Sequence, residues 1–418
     1  MVLEWGLRNL QKRYERMYDS VGTIKQITES VREVINAREE KLSDAEVLEL
    51  IEDFVLHDKM TGIYPYQEKR NMVQGVFNAT RKELGLLQPY ADDANVSEIM
   101  VNGLDGIFIE RKGRIEKIDQ KFDSYEELEE IIRRLAAKVH KEINELNPIV
   151  DARMEDGSRI HAVYKNVALN GPILSIRRFP EKRITMEELL DLGTITRECA
   201  LFLECLVKAG YNIFISGGTS SGKTTFLNVL SNYIPKDERV IVIEDSAELQ
   251  ITGVENIVRM ESKQANMQGK GEVSIRQLIK ASLRMRPDRI IVGEVRGAEV
   301  LDMVQAMNTG HDGSLSTGHG NSPEGMLTRL EAMFLTASDF PIEAIRNQIS
   351  EAIDIIVHMA RMPDKSRKVI EVVEIEGYKD GQYITNPLFR YKRGKGLESS
   401  GMGLKNLAKL KMKGIELK

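Results

Sequence analysis

Cysteine, tryptophan and long apolar runs are what this sequence has least of. Its 418 residues include two cysteines, Cys199 and Cys205, and one tryptophan. Two cysteines provide no disulfide framework and no Cys-x-x-Cys metal pair, which argues against a disulfide-stapled secreted domain and for a reducing compartment, the cytoplasm being the simplest. No apolar run approaches the ~20 residues that span a bilayer, and the opening MVLEWGLRNLQKRYERM is charged where a signal peptide carries an apolar core. Membrane contact is therefore expected to be peripheral. An excess of positive charge is also missing: the net charge of -5 gives no global attraction to nucleic acid, so no direct nucleic-acid partner is expected. Solenoid repeats are absent. What is there, 42% hydrophobic and 29% charged residues, suits a folded globular chain, long enough for two domains.

Residues 1–60 predict a helical N-terminal extension, because apolar positions recur at helical spacing with few Gly or Pro. In LSDAEVLELIEDFVL, Ser43 and Glu46 form a capping box, Leu42 staples onto Val47, and Val47, Ile51, Phe54 and Val55 share one face. Residues 61–179 predict a mixed α+β domain with a mainly antiparallel sheet: SEIMVNG, GIFIERKG and RIEKID, a helix EELEEIIRRLAAKVHKEI, then RIHAVY and ILSIRRF. Residues 180–197 read as a linker. From 198 to 418 helices alternate with YNIFISG, RVIVIED, RIIVGE and GSLSTGH, the grammar of an α/β domain. Pro235, Pro287 and the Ser322-Pro323 pair punctuate its helices. The tail adds the strand-like VIEVVEIEGY and a basic, Gly-containing end to which the pattern assigns no order.

One string carries chemistry by itself. GGTSSGKTT fits G-x-x-x-x-G-K-[ST], follows an apolar strand and precedes a helix. In that setting the backbone of Gly217, Gly218, Thr219, Ser220, Ser221 and Gly222 can turn N–H groups toward phosphate oxygens. Lys223 then bridges the terminal phosphates of ATP, Thr224 offers a hydroxyl to Mg²⁺, and Thr225 continues the first helical turn. A chance match in a Gly-rich turn is the competing explanation, which the strand before and the helix after disfavour.

Carboxylates close two of the strand-like runs: Glu244, Asp245 and Glu248 after RVIVIED, and Glu294 after RIIVGE. Carboxyl ends of parallel strands face the ligand crevice, so these groups are expected near the loop, holding Mg²⁺ through water or orienting the attacking water. Capping of a following helix stays open for Asp245 and Glu248. His311 and His319 lie in TGHDGSLSTGHGNSP, whose glycines permit a tight bend that brings imidazole to a phosphate; a structural role and a metal site are the alternatives. Arg153, Arg159, Arg177 and Arg178 in the earlier domain, and Arg296 beyond Glu294, suit bidentate phosphate contact or ordinary solvated charge.

GGTSSGKTT, VIEDSAELQ, RPDRIIVGEVRG and TGHDGSLSTGHGNSP, in that order, make the chain resemble the secretion and pilus-assembly ATPases shared by type II and type IV secretion. ANVSEIMVNGLDGIFIERKGRIE with DGSRIHAV is similar to the CpaF/TadA branch, which drives tight-adherence (Flp) pili; the absence of the tetracysteine module found in several type II relatives favours the tight-adherence or type IV branch. The resemblance implies a RecA-like P-loop NTPase domain at the C-terminal side, a homohexameric ring beneath a second ring of N-terminal domains, and ATP with Mg²⁺ bound between them. It further implies Walker A at 217–225, an Asp box at 244–248 with Glu248 positioning the attacking water, and an atypical Walker B at Glu294 serving the metal. His311 and His319 fall in a His box, and Arg153 and Arg159 match positions that contact nucleotide; TGHGN puts glycines where bulkier neighbours are common. The implied function is an ATPase motor at the cytoplasmic face of the inner membrane that pushes on a platform protein of a pilus or type II secretion system. A type IV secretion motor moving protein or DNA, and a nucleotide-gated ring with negligible turnover, are the alternatives.

Overall fold

Apolar residues repeating every three or four positions can share a face only in a helix, and helices open the first part of the fold. The structure, a computed structural model, describes residues 23–24, 26–35, 37, 42–57, 59–111, 113–179, 184–263, 265 and 270–417. The helical reading of residues 1–22 and the start of the supposed linker, residues 180–183, lie outside the described residues. The chain divides into two compact units, Met1–Glu181 and Lys182–Lys418.

In the first unit the helix Asp44–His57 begins on a reciprocal box: the Ser43 amide donates to Glu46 Oε2 at 2.7 Å, and the Glu46 amide donates to Ser43 Oγ at 3.3 Å. Val47, Ile51 and Val55 pack with Ile27, Val31 and with Met72, Val76 and Phe77 of the helix Tyr66–Arg81. The helical part thus runs beyond residue 60 to Arg81, because that last helix shares the same core. Strands β1 (Val96–Asn102), β2 (Ile107–Arg111), β3 (Arg114–Lys117), β4 (Ile149–Arg153), β5 (Arg159–Val163) and β6 (Ile173–Arg177) form a sheet in the order β3-β2-β1-β6-β5-β4. Every neighbouring pair is antiparallel. Alternate side chains, among them Ile99, Val101, Ile107, Ile109, Leu174 and Ile176, bury one face under Leu128, Ile131, Ile132 and Leu135 of the helix Tyr125–Lys138.

The second unit is a sheet of β7 (Ile213–Gly217), β8 (Val240–Glu244), β9 (Ile257–Glu261), β10 (Arg289–Val292), β11 (Leu315–His319), β12 (Ile355–Arg361), β13 (Arg367–Lys379), β14 (Gln382–Lys392) and β15 (Gly396–Ser399). Its order is β15-β14-β13-β12-β7-β11-β10-β8-β9. From β9 to β12 all pairs are parallel, and from β12 to β15 they are antiparallel. β7, β8 and β10 are buried along their whole length, which is why they read as unbroken apolar runs. Helices Arg197–Ala209 and Lys223–Ser231 cover Ile213, Ile215, Val240 and Val242 on one face. Helices Ile275–Ser282, Glu299–Asn308, Pro323–Leu335 and Ile342–Ala352 cover Phe214, Ile241 and Ile243 on the other. A parallel sheet clad on both sides presents the carboxyl ends of its strands to a ligand crevice.

One departure from the sequence reading has a plain cause. Within the stretch assigned to a linker, Thr185 and Glu188 box the start of a helix Met186–Asp191, and Leu189 and Ile195 are buried in the second unit's core. Burial of those two side chains makes this segment part of the domain. The tail is ordered as well, since Phe389, Leu397, Leu404 and Leu410 enter the same core. Among the described residues no helix is long and apolar enough to cross a membrane.

Candidate functional site

β7 ends at Gly217 against its neighbour β12, and a side chain there would collide with the Met359 carbonyl oxygen and come within 2.6 Å of Ser221 Oγ. Gly218, Thr219 and Ser220 then form an exposed turn, with Ser220 in the left-handed region at φ 57. Gly222, at φ 95, caps the helix Lys223–Ser231 in a conformation that costs a residue with a Cβ about 1–2 kcal/mol. The first intrahelical bond is made by Phe226 to the Gly222 carbonyl at 2.9 Å, so the amides of Gly222, Lys223, Thr224 and Thr225 precede the helical ladder and are open to an anion.

Lys223 folds back over this turn. Its buried ammonium donates to the Gly218 carbonyl at 2.9 Å and lies 3.2 Å from His319 Nδ1. Strand register brings the histidine there, because His319 is paired with Gly217 across β11 and β7. Burial, then the Lys223 charge, holds the imidazole below its ordinary value, so it is the neutral ring that accepts from the ammonium; burial likewise lowers Lys223. His319 Nε2 faces Glu294 Oε1 at 2.8 Å without the alignment of a hydrogen bond, leaving that buried oxygen no hydrogen-bond donor among the described residues. Glu294 Oε2 accepts from Arg296 Nη2 at 2.8 Å, and Arg296 Nη1 reaches Asp245 Oδ2 at 3.3 Å. A line of alternating character, Lys223, His319, Glu294, Arg296 and Asp245, therefore crosses the ends of β7, β11, β10 and β8.

Glu244 plays a different part from its neighbours. It is buried, and its Oε1 accepts the amides of Glu248 at 2.8 Å and Leu249 at 2.9 Å, which folds the turn that carries Glu248. Burial pushes its carboxyl up to about 7, with the two amides opposing. Gly293 makes room for it, since a Cβ there would sit 3.0 Å from Glu244 Cγ. No helix follows Asp245 or Glu248, so neither caps one: the next element is β9, and Asp245 Oδ1 accepts the Ser246 amide at 2.9 Å.

The two histidines of the Gly-rich stretch are not brought together. LSTGH is a strand rather than a bend, and four steps along it carry the chain about 13 Å. His311 stays at the opposite end, with Nδ1 3.1 Å from the Ala306 carbonyl, so the pair can share neither a phosphate nor a metal ion. Arg153, Arg159 and Arg177 stand in register across β4, β5 and β6 of the first unit; Arg153 also lies 5.9 Å from the Phe179 ring. Arg178 donates to the Asp93 carbonyl at 2.5 Å, a structural use. Two residues at the loop escaped the sequence reading. His358 on β12 stands opposite Ser216, its Nδ1 3.3 Å from the Ser216 hydroxyl beneath the turn. Arg367 on β13 donates from Nε to the Ser220 carbonyl at 3.1 Å. The only local signal for the first was a lone histidine in IIVHMAR; the second had none.

Oxygen donors suited to Mg²⁺ are in place: the half-buried Thr224 hydroxyl in the first helical turn and the unsatisfied Glu294 Oε1. An ammonium, open amides and hard oxygen donors at one crevice are the parts that phosphoryl transfer uses.

Comparison with known proteins agrees. The family model described as Type II/IV secretion system protein matches residues 80–392. The conjugal transfer protein TrbB of Rhizobium radiobacter is 34% identical over 297 residues, which cover 70% of this chain and 88% of that protein. A putative conjugal transfer protein of Mycobacterium tuberculosis is 32% identical over 294 residues, 69% of this chain and 83% of its own. In fold, the chain is similar to the X-ray structure of the Legionella pneumophila ATPase DotB, with a TM-score of 0.50 and 21% identity over 68% of this chain and 78% of that one. The chain belongs to the type II/IV secretion system protein family, with an α+β domain in its first unit and a RecA-like P-loop domain as its second.

Proposed function

We propose that this chain is the subunit of a homohexameric motor that hydrolyses ATP to assemble a tight-adherence (Flp) or type IV-like pilus, or to drive type II secretion, through an inner-membrane platform protein. The observation that supports nucleotide at the loop is the state of Lys223. Its buried ammonium has only a carbonyl and a neutral imidazole as partners and no ion pair among the described residues, so a triphosphate supplies the anion it lacks. In this reading the amides of residues 217–225 hold the phosphates, Lys223 spans the terminal ones, and Thr224 and Glu294 hold Mg²⁺, the carboxylate through water. Bound Mg²⁺ would neutralise charge on the transferring phosphoryl group. Glu248 positions the attacking water, on a turn held by Glu244. His319 positions Lys223 and Glu294. Arg153 and Arg159 are kept as phosphate contacts on the family resemblance.

A second reading, a type IV secretion motor, draws on the names of the relatives: conjugal transfer protein TrbB, and the type IV secretion system protein PtlH of Bordetella pertussis, 29% identical over 324 residues. The CpaF/TadA-like segment of the first unit favours the pilus. Lys223→Ala is expected to abolish phosphate release, and Glu294→Gln to keep nucleotide bound while slowing turnover; near-normal turnover in either would remove the mechanism. Cross-linking in cells followed by identification of the captured membrane protein separates the readings, a pilus platform supporting the first and a conjugation component the second.

A further inference from the structure

The β12–β13 hairpin ends beside the phosphate loop, on the side of β7 away from the cluster just described. β12 runs parallel to β7 with Met359 opposite Gly217, and β13 returns with Arg367 opposite Arg361. Between them residues 362–366 form a closed turn, in which the Met362 amide donates to the Ser366 carbonyl at 2.8 Å and Asp364 Oδ1 accepts the Ser366 amide at 2.9 Å. This turn fixes the start of β13, and Arg367 leaves it toward the loop. Its Nε donates to the Ser220 carbonyl at 3.1 Å, and its stem lies over Gly222, where a Cβ would be 3.2 Å from Arg367 Cδ. Nη1 and Nη2 make no hydrogen bond or ion pair among the described residues. One edge of a planar guanidinium is thus pinned to the loop while its fork is left to an outside acceptor.

We infer that Arg367 is a nucleotide-binding residue that contacts the α-phosphate. The inference rests on the proposed placing of nucleotide in the loop, and sheet order selects the end. His319 and Glu294 sit on β11 and just after β10, on one side of β7, and with Lys223 they mark the terminal phosphate; Arg367 comes from the other side. An arginine there serves ATP and ADP alike, because both carry the α-phosphate.

The test compares wild type, Arg367→Ala, Arg367→Lys and, as a surface control in the turn between β14 and β15, Arg393→Ala, by calorimetry with MgATP and MgADP and by steady-state turnover. Arg367→Ala is expected to weaken both nucleotides by a similar factor, about tenfold, the usual size of a lost charge-assisted hydrogen bond. KM should rise while kcat moves by less than about twofold, since the contact is made equally before and during hydrolysis. Arg367→Lys, which keeps the charge but not the anchored fork, should fall between. Wild-type affinity for both nucleotides in Arg367→Ala overturns the inference, and so does a loss confined to MgATP with a fall in kcat, which would put the arginine at the terminal phosphate. Wild type that binds neither nucleotide would instead remove the proposed function itself.

Discussion

Glu244→Gln isolates a carboxyl that the fold needs as an acceptor but not as a charge. The group is buried with 3% exposure, and its pKa is pushed from 4.5 up to about 7, burial first, with Glu248 and Asp245 adding to the rise. A folded value above the unfolded one means that the contribution to stability is complete below pH 4.5 and is lost as pH rises through about 7. At about 1.36 kcal/mol per pH unit the whole effect is about 3 kcal/mol, of which about 2 kcal/mol falls between about pH 5.5 and 7. Glutamine keeps an oxygen for the amides of Glu248 and Leu249, now 2.8 and 2.9 Å away, and cannot ionise. Urea unfolding followed by circular dichroism across that range should show wild type losing stability with rising pH relative to Glu244→Gln, and the variant more stable at about pH 8 by up to about 3 kcal/mol. Parallel pH dependences for the two proteins would refute the reasoning. Glu244→Ala supplies the functional side: it strands two amides at about 1–3 kcal/mol each, releases the turn that carries Glu248, and should lower kcat.

His319 is held neutral by burial and by Lys223, with its pKa below the ordinary 6.5, so protonation sets two cations against each other. The pH profile of kcat/KM should therefore have an acid limb below pH 6.5 that His319→Gln removes; an unchanged limb would assign it to another group. Gly222→Ala forces a Cβ into φ 95 against the Arg367 stem, and should cost about 1–2 kcal/mol and most of the nucleotide affinity measured by calorimetry. Leu189→Ala should destabilise the second unit by about 2–4 kcal/mol in urea, whereas a free linker at that position would leave the midpoint unmoved.

How much of this was legible in the sequence follows from the range of each contact. GGTSSGKTT is local, and a strand, a glycine turn and a helix in immediate succession needed nothing from elsewhere in the chain. Buried parallel strands announce themselves as apolar runs, so β7, β8 and β10, and the acids that follow β8 and β10, could be read. The contacts of His358 with Ser216 and of Arg367 with Ser220 span 142 and 147 residues, and they exist because β12 is β7's neighbour in the sheet. No spacing in the sequence encodes that adjacency. The bend read around the histidines was overruled for the opposite reason: TGHDGSLSTGH has its glycines, but Leu315, Ser316 and Thr317 are buried between β7 and β10, and strand pairing outweighed local permissiveness, which carries His319 to the loop and leaves His311 at the far end. Glu244, Asp245 and Glu248 could be gathered by sequence but not sorted, because sorting them depends on desolvation. The carboxylate under Gly293 is spent on backbone amides and held near neutrality, and only a three-dimensional neighbour of that kind separates Glu244 from Glu248, on the turn it pins, to which the proposed function gives the water.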